Sequence, residues 1–198
     1  MFKSKITNLE DISTNNIFTI ECADIVLREF QLENLDELYA LTLQPEITDF
    51  LPDWIATKEQ RKEWLIDCHI KANKEFLQAL PNIEQQLLIL GIILKKTNKF
   101  IGWCCTSLKD ELPPPNREIS YAISKDYRGM GYTTQAAQGL IKYLFKETNI
   151  LELNAIALTY NIPSNRIIQK CGFKFISNIE IENQKFYYYK LSTSDWSK

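Results

Sequence analysis

The sequence lacks the residues and patterns that mark zinc, membrane and nucleic-acid-binding proteins. It holds one histidine, His69, and its five cysteines form neither a CxxC pair nor a cluster with histidine, so a structural zinc site is excluded. No apolar run approaches the ~20 residues that span a bilayer. The net charge of −2 gives no basic footprint for nucleic acid. We therefore expect no metal, no membrane segment and no nucleic-acid partner.

The remaining bulk properties indicate one soluble domain. The 198 residues, 45% of them hydrophobic, suit a single domain over 1–198 with its core over about 17–191. The polar start "MFKSKITNLEDIS" is unlike a signal peptide. An odd number of scattered cysteines indicates reduced thiols and a cytoplasmic location.

The hydrophobic periodicity predicts an α/β (α+β) domain with a mixed sheet. Thr57 and Gln60 form a capping box at the start of the second helix, and His69 on that helix is expected to be exposed or half-buried. Pro163 and Gly172 suit the two ends of a short helix. The predicted order is a strand or hairpin over 17–30, helices over 32–43 and 57–80, strands over 86–97, 100–109 and 117–124, a helix after Gly131, a strand over 150–160, a helix over 161–173, and two strands over 174–191.

The stretch "YRGMGYTT", residues 127–134, joins a predicted strand to a predicted helix and contains two glycines. Glycine lets the backbone approach an anion without a Cβ, and the first N–H groups of a helix attract phosphate. Arg128 adds a positive charge. The stretch fits neither the P-loop, which needs GK[ST], nor the dinucleotide motif GxGxxG. It is a phosphate cradle or a plain tight turn.

This stretch and a second one, "NIPSNRIIQKCGF", together resemble the GNAT superfamily of acyl-CoA N-acyltransferases over roughly 17–191. Arg128, Gly131 and Thr133 match the family's Arg/Gln-x-x-Gly-x-Gly/Ala loop, although Thr133 departs from the last position. The second stretch is similar to the branch that acetylates the N-termini of ribosomal proteins. Its matching residues are Asn161, Ser164, Lys170, Gly172 and Phe173.

The resemblance implies a central sheet of about seven strands flanked by about four helices, with two parallel strands splayed around acetyl-CoA. Those strands are "EISYAIS" and "LNAIALTY". The pantetheine arm would pair near Ala122 and Ile123, and a backbone N–H near Tyr121 or Ala122 would hold the thioester oxygen. The full set expected to contact the cofactor is Tyr121, Ala122, Ile123, Arg128, Gly129, Met130, Gly131, Tyr132, Thr133, Thr134, Asn161, Ser164 and Arg166.

Some of these residues have plainer interpretations. Asn161 could form an Asx turn that ends a strand. Arg166 could lie on a solvated helix face. The peptide groups near Tyr121 could simply pair in a β-ladder. Trp54, Trp103 and Tyr121 could wall an amine pocket, although aromatic residues in a sheet more often belong to the core.

Glu118, at the start of the splayed strand, is the predicted general base. Asp53 and Glu46 are weaker alternatives. Many members of the superfamily supply a proton donor from a tyrosine four residues before the Gly-Phe pair, where this chain has Ile168. Ser164, Tyr160 or solvent would have to replace it. Cys104, Cys105 and Cys171 have no histidine near them in the sequence, so a thiol nucleophile is not expected.

The resemblance therefore implies an N-acetyltransferase that moves an acetyl group from acetyl-CoA to a primary amine by direct attack. The amine acceptor is a small molecule or a protein N-terminus, and the enzyme is a monomer or homodimer. The alternative is a non-catalytic CoA-binding sensor or interaction domain of the same fold.

Overall fold

The computed structural model describes residues 17–196, which form an eight-stranded mixed sheet with helices on both faces. The polar start "MFKSKITNLEDIS", which was judged unlike a signal peptide, lies outside the described residues. The strands are β1 Thr19–Glu21, β2 Ile25–Glu29, β3 Leu88–Leu94, β4 Lys99–Leu108, β5 Arg117–Ile123, β6 Glu152–Leu158, β7 Lys174–Ile181 and β8 Gln184–Ser192. The helices are α1 Leu35–Thr42, α2 Pro45–Thr48, α3 Lys58–Trp64, α4 Lys71–Ala79, α5 Tyr132–Glu147, α6 Ile162–Lys170 and α7 Thr193–Trp196.

The sheet order is β1-β2-β3-β4-β5-β6-β8-β7. Every neighbouring pair is antiparallel except β5 and β6, which run parallel. The predicted fold class is confirmed. The segment over 17–30 forms the hairpin of the two predicted alternatives, which gives eight strands where about seven were expected. Among the described helices, none has the length and apolar character needed to cross a membrane.

The two sheet faces carry separate apolar cores. Helix α5 packs on one face through a stripe of small and branched side chains that includes Ala136, Leu140 and Leu144. The opposite face is covered by α1, α2 and the segment that includes Leu65, and its core includes Trp103 of β4 and Ala122 of β5. Helix α4 contributes Phe76 to the first core. Helices α3 and α4 form one continuous run through a π-helical turn, Leu65–Ile70. The predicted Thr57–Gln60 capping box starts α3.

The expectation for His69 was wrong. This residue lies in the π-helical turn and is only 6% exposed. His69 lies one helical turn after the buried Leu65, a spacing that places both residues on one face of the helix. The fold buries it because its ring packs against Phe30, with centroids 5.3 Å apart.

A buried asparagine holds β5 and β6 together at one end. Asn154 is fully buried, and its Nδ2 donates to the carbonyl oxygens of Pro115 at 2.9 Å and Arg117 at 3.0 Å. The Tyr188 hydroxyl of β8 donates to Asn154 Oδ1 at 2.8 Å. One side chain thus joins three segments of the sheet.

We predict that Asn154→Ala lowers the free energy of unfolding by about 2–4 kcal/mol, because it leaves buried carbonyl and hydroxyl groups without partners. Urea denaturation followed by circular dichroism measures this change. Tyr188→Phe is the matched control, since it removes only one of these hydrogen bonds and should cost about 1 kcal/mol. A change below about 0.5 kcal/mol in Asn154→Ala would show that this junction does not support the sheet.

Candidate functional site

The central feature of the site is a gap between β5 and β6. These strands pair at a single position, Glu118 opposite Asn154, and separate beyond it. On its other side β5 pairs with β4 over all seven residues, from Arg117 to Ile123. Strand β5 is therefore fully paired on one edge and almost unpaired on the other.

The register of β4 and β5 shows which peptide groups face this gap. The Ser124 N–H donates to the Ile101 carbonyl at 2.8 Å, and in an antiparallel ladder such bonded pairs alternate with unbonded ones. The peptide group of Ala122 therefore faces β4, opposite Trp103. The peptide groups of Tyr121 and Ile123 face β6. They have the position expected for pairing with an extended, amide-containing ligand.

Glu118 stands at the closed end of the gap. Its carboxylate accepts a hydrogen bond from the Ile156 backbone N–H, a group that a continuing parallel ladder would pair with β5. Burial raises the pKa of Glu118 to about 7, against opposing contributions from the charge of Lys109 and the Ile156 hydrogen bond. A carboxyl group with such a pKa can accept and release a proton near neutral pH.

At the open end of the gap lies the glycine loop. Gly129 and Gly131 have φ values of 76° and 83°, and a Cβ atom on either would meet no atom beyond its neighbours within 4 Å. Gly131 is the N-cap of α5, and no side chain caps this helix. The N–H groups of Tyr132, Thr133 and Thr134 are thus the unsatisfied first donors of a 16-residue helix. This arrangement suits a phosphate group.

Two loop side chains that were predicted to contact the cofactor, Thr133 and Arg128, are turned toward other parts of the protein. Thr133 is only 6% exposed, so its side chain packs inward and its Cβ does not obstruct the loop. Arg128 is exposed and its guanidinium donates to the Glu46 carbonyl at 2.6 Å. Met130 is 56% exposed and leaves the backbone of the loop uncovered.

The loop is also tied to the first helices by Gln44, which the sequence analysis missed. The Gln44 side chain accepts from the Lys125 N–H at 2.9 Å and donates to the Ser124 Oγ at 3.1 Å. Together with the Arg128 contact, these bonds hold α2 against the approach to the glycine loop. A glutamine before a short helix carries no pattern that would predict such a contact.

Helix α6 forms the other wall of the gap. Asn161 caps this helix, and its Oδ1 accepts from the Ser164 N–H at 3.2 Å. The Tyr121 hydroxyl crosses from β5 and lies 3.3 Å from Ser164 Oγ and 3.2 Å from the Ser164 carbonyl oxygen. Burial raises the pKa of Tyr121 well above its ordinary value, so this hydroxyl keeps its proton.

A second buried asparagine, Asn165, fixes this wall and was also missed. Its Nδ2 donates to the carbonyl oxygens of Leu158 at 3.0 Å and Asn161 at 2.9 Å, and Tyr189 donates to its Oδ1 at 2.9 Å. One sequence feature indicates a special role for Asn165, because this polar residue interrupts the apolar face of a short helix. Ile168, one turn later, is buried in the core.

The remaining candidates lie further from the gap. Tyr160 is 61% exposed and its ring packs near Phe50, with centroids 6.0 Å apart. Arg166 is exposed on α6, and Asp53 is exposed in the loop after α2. Glu46 is half-buried in α2, next to the glycine loop rather than to the end of the gap marked by Glu118.

On the sheet face opposite α5, Trp103 and Ala122 are buried beneath the first helices, whereas Glu118 and Ser120 are half-buried. Side chains alternate along a strand, so Glu118, Ser120 and Ala122 share this face, and Ser120 Oγ lies 3.0 Å from the Cys105 Sγ. The Trp103 ring stacks on Trp54, with centroids 4.3 Å apart and planes at 9°. The two predicted wall tryptophans are therefore brought together.

Comparison with known proteins identifies the family. A profile described as "Acetyltransferase (GNAT) domain" matches residues 24–174. The chain belongs to the GNAT acetyltransferase family. The predictions of family, fold class and acetyltransferase activity are thereby confirmed.

Relatives of this GNAT protein include "Uncharacterized N-acetyltransferase YnaD" of Bacillus subtilis, 25% identical over 87% of this chain and 96% of the relative. A GNAT acetyltransferase structure from Bacillus anthracis has a TM-score of 0.71 at 20% identity, covering 88% of this chain and 98% of that one. RimL, a ribosomal L7/L12 α-N-protein acetyltransferase solved with coenzyme A, has a TM-score of 0.69 at 16% identity over 88% of this chain and 98% of its own. These structural likenesses establish the shared fold.

We predict that Glu118→Gln stabilises the protein at neutral and higher pH. The carboxyl group, with a pKa near 4.5 when unperturbed and about 7 in the fold, is protonated in both states at low pH. Between these values it ionises only in the unfolded chain, so native stability falls relative to the variant as pH rises and levels off above about 7. The variant should gain about 1–3 kcal/mol at the plateau.

Chemical denaturation of both proteins from pH 4 to pH 9, at roughly one-unit steps, measures this difference. Glu63→Gln is a matched control, because it makes the same change at an exposed residue of α3. A Glu118→Gln difference that does not depend on pH would contradict the raised pKa.

Proposed function

We propose that this GNAT protein transfers an acetyl group from acetyl-CoA to a primary amine by direct attack of the amine on the thioester. The supporting observation is the single-position pairing of β5 and β6, with Glu118 at its closed end and the glycine loop at its open end. Acetyl-CoA as the acetyl donor fits the family to which the chain belongs.

The cofactor would be held by backbone groups. The uncovered N–H groups after Gly131 suit its diphosphate, since a Cβ-free loop leaves room for it. The peptide groups of Tyr121 and Ile123 suit the amides of the pantetheine arm, and the N–H of Tyr121 suits the thioester oxygen. When bound, acetyl-CoA supplies an activated acyl group and a thiolate leaving group.

Glu118 acts as the general base in this proposal. An amine must lose a proton to attack, and a carboxylate whose pKa is about 7 can take that proton directly or through one water molecule. The C–N bond forms as the C–S bond breaks, the amine proton passes to Glu118, and the electron pair of the broken bond stays on sulfur.

The departing thiolate then needs a proton. In this proposal the Ser164 hydroxyl gives its proton to the sulfur and regains one from solvent, while the Tyr121 hydroxyl stays protonated and hydrogen-bonds Ser164. Ser164 Oγ stands at the wall of the gap and Tyr121 lies 3.3 Å behind it. Ile168 has no proton to give. Tyr160, the other predicted donor, is largely exposed and contacts Phe50, so we assign the role to Ser164 with Tyr121 as its hydrogen-bonding partner.

The acceptor is an amine of a small molecule or of a protein N-terminus. Solved structures with this fold include both kinds of enzyme: RimL is a ribosomal L7/L12 α-N-protein acetyltransferase, and AAC(6')-Ib was solved in complex with paromomycin and acetyl-CoA. This chain is about equally similar in fold to RimL and to AAC(6')-Ib, with TM-scores of 0.69 and 0.68, so the fold does not favour one acceptor over the other.

The direct test combines binding and turnover. We expect acetyl-CoA to raise the melting temperature and the protein to release free thiol when primary amines are added. Glu118→Gln should still bind acetyl-CoA but lose about 10²–10⁴ in kcat/KM, and native kcat/KM should rise with pH through about 7. Binding without thiol release across an amine panel would instead indicate a sensor.

For the proton donor, we expect Ser164→Ala to lower kcat by roughly tenfold to hundredfold while the Kd for CoA stays within about twofold. Tyr121→Phe should give a smaller loss, since it removes only the hydroxyl behind Ser164. Tyr160→Phe is the matched control and should keep native kcat. A Ser164→Ala enzyme with native kcat would mean that solvent protonates the thiolate.

A further inference from the structure

A buried arginine on the acceptor side has no carboxylate partner. Arg61 of α3 is only 2% exposed, and no ion pair found among residues 17–196 includes it. Its guanidinium lies over the rings of Trp54 at 4.8 Å and Trp64 at 4.9 Å and donates to the Trp54 carbonyl. Its Nε has no hydrogen-bond partner. A buried cation is costly when no anion compensates it.

Two further buried nitrogens without partners surround the same tryptophan. Trp103, 2% exposed, stacks on Trp54 and leaves its Nε1–H unpaired. His69, 6% exposed, lies 6.2 Å from the Trp54 ring, and its Nδ1 is also unpaired. Burial and the nearby charge of Arg61 lower the pKa of His69 to about 4, so the imidazole is neutral. We call Arg61, His69 and Trp103 the donor cluster.

The composition of the cluster indicates the ligand chemistry. The guanidinium and the indole can only donate hydrogen bonds, and the neutral imidazole can present a donor at Nδ1. A group that accepts several hydrogen bonds and carries negative charge would satisfy all three. A carboxylate has that character and matches the fork of an arginine.

The cluster lies on the face where the amine is expected. Trp103 is directly opposite Ala122 in the β4–β5 ladder, and neighbouring strands are about 5 Å apart. Glu118 is four residues further along β5 on the same face, about 13 Å away. A short linear molecule can therefore span from the cluster to the proposed acetyl position near Tyr121.

The Trp54 and Trp64 rings lie against the Arg61 guanidinium, and both rings are partly exposed. Trp64 is 36% exposed, and Trp54 is half-buried in a short 3-10 turn, Pro52–Trp54, with exposed neighbours on both sides. The turn is held by local hydrogen bonds, such as Trp54 N–H to the Leu51 carbonyl at 3.0 Å. Such a segment can shift locally at low cost.

We propose that the donor cluster binds a carboxylate of the acceptor, an inference that rests on the proposed function. The preferred substrates are then amines that carry a carboxylate a few bonds from the nitrogen. Arg61 neutralises the carboxylate, and Trp103 Nε1 and His69 Nδ1 complete its hydrogen bonds. A purely structural Arg61 would hold Trp54 but would not distinguish charged from uncharged amines.

The experiment compares matched substrates that differ only in the carboxylate. The pairs are β-alanine with ethylamine, γ-aminobutyrate with propylamine, and δ-aminovalerate with butylamine. We expect kcat/KM to be about ten- to hundredfold higher for at least one amino acid than for its matched amine. In Arg61→Met this ratio should fall to about one, with kcat/KM for the plain amine changing less than about threefold. Arg61→Lys should keep part of the preference.

Lys62→Met is the matched control, since it makes the same charge change at an exposed residue of the same helix, and it should keep the native ratio. A native ratio near one, or a ratio that survives in Arg61→Met, would overturn the carboxylate site while leaving the acetyltransferase proposal intact.

A second readout does not depend on turnover. Titration of the protein with valerate, followed by tryptophan fluorescence, should show saturable binding in native protein and in Lys62→Met, and none in Arg61→Met with an unchanged circular dichroism spectrum. Valerate binding without any amine acetylation would support the site and refute the proposed activity. Valerate that fails to bind native protein would refute the site.

Discussion

The structure depends on the point at which β5 and β6 stop pairing. Their ladder has one position, Glu118 opposite Asn154, and the gap that begins there sets the surroundings of Glu118, Tyr121 and Ile123. Beyond it, the peptide groups of Tyr121 and Ile123 have no strand to pair with, and the Ile156 N–H turns to the Glu118 carboxylate instead. The separation thus leaves polar groups at the edge of the gap. Glu118 is half-buried at its closed end, and burial raises the pKa of its carboxyl group.

Unpaired strand edges tend to close, so the protein must hold this gap open. Two buried asparagine–tyrosine pairs serve this purpose, and their tyrosines are consecutive residues of β8. Tyr188 bonds Asn154 at the closed end, and Tyr189 bonds Asn165 of α6. Because Tyr188 and Tyr189 point to opposite faces of the sheet, each pair fixes one wall without filling the space between them.

Much of this architecture could be predicted from the sequence because its signals are local. The Thr57–Gln60 capping box and the positive φ of Gly129 and Gly131 follow from short patterns whose physical meaning does not depend on distant residues. The same holds for the alternation of "REISYAIS" in β5. The family loop could be recognised despite Thr133, whose side chain turns inward.

The residues that escaped prediction act through long-range contacts. Asn154 bonds to a segment 39 residues earlier and Gln44 to one 80 residues later. The burial of His69 and Arg61 depends on Trp54 and Trp103, which meet only when the helices cover the sheet. Hydrophobic periodicity does not predict such long-range contacts. A polar residue with a buried partner has the same local sequence pattern as a polar residue in solvent.

Residue-resolved amide hydrogen exchange tests the central claim most directly, because it reads the edge of β5 that faces β6. Without ligand, the amides of Tyr121 and Ile123 should exchange faster than that of Ala122, which pairs with β4. With saturating CoA, the Tyr121 and Ile123 amides should become protected while Ala122 changes little. Equal protection of all three amides without ligand, or no added protection when CoA binds, would contradict the account.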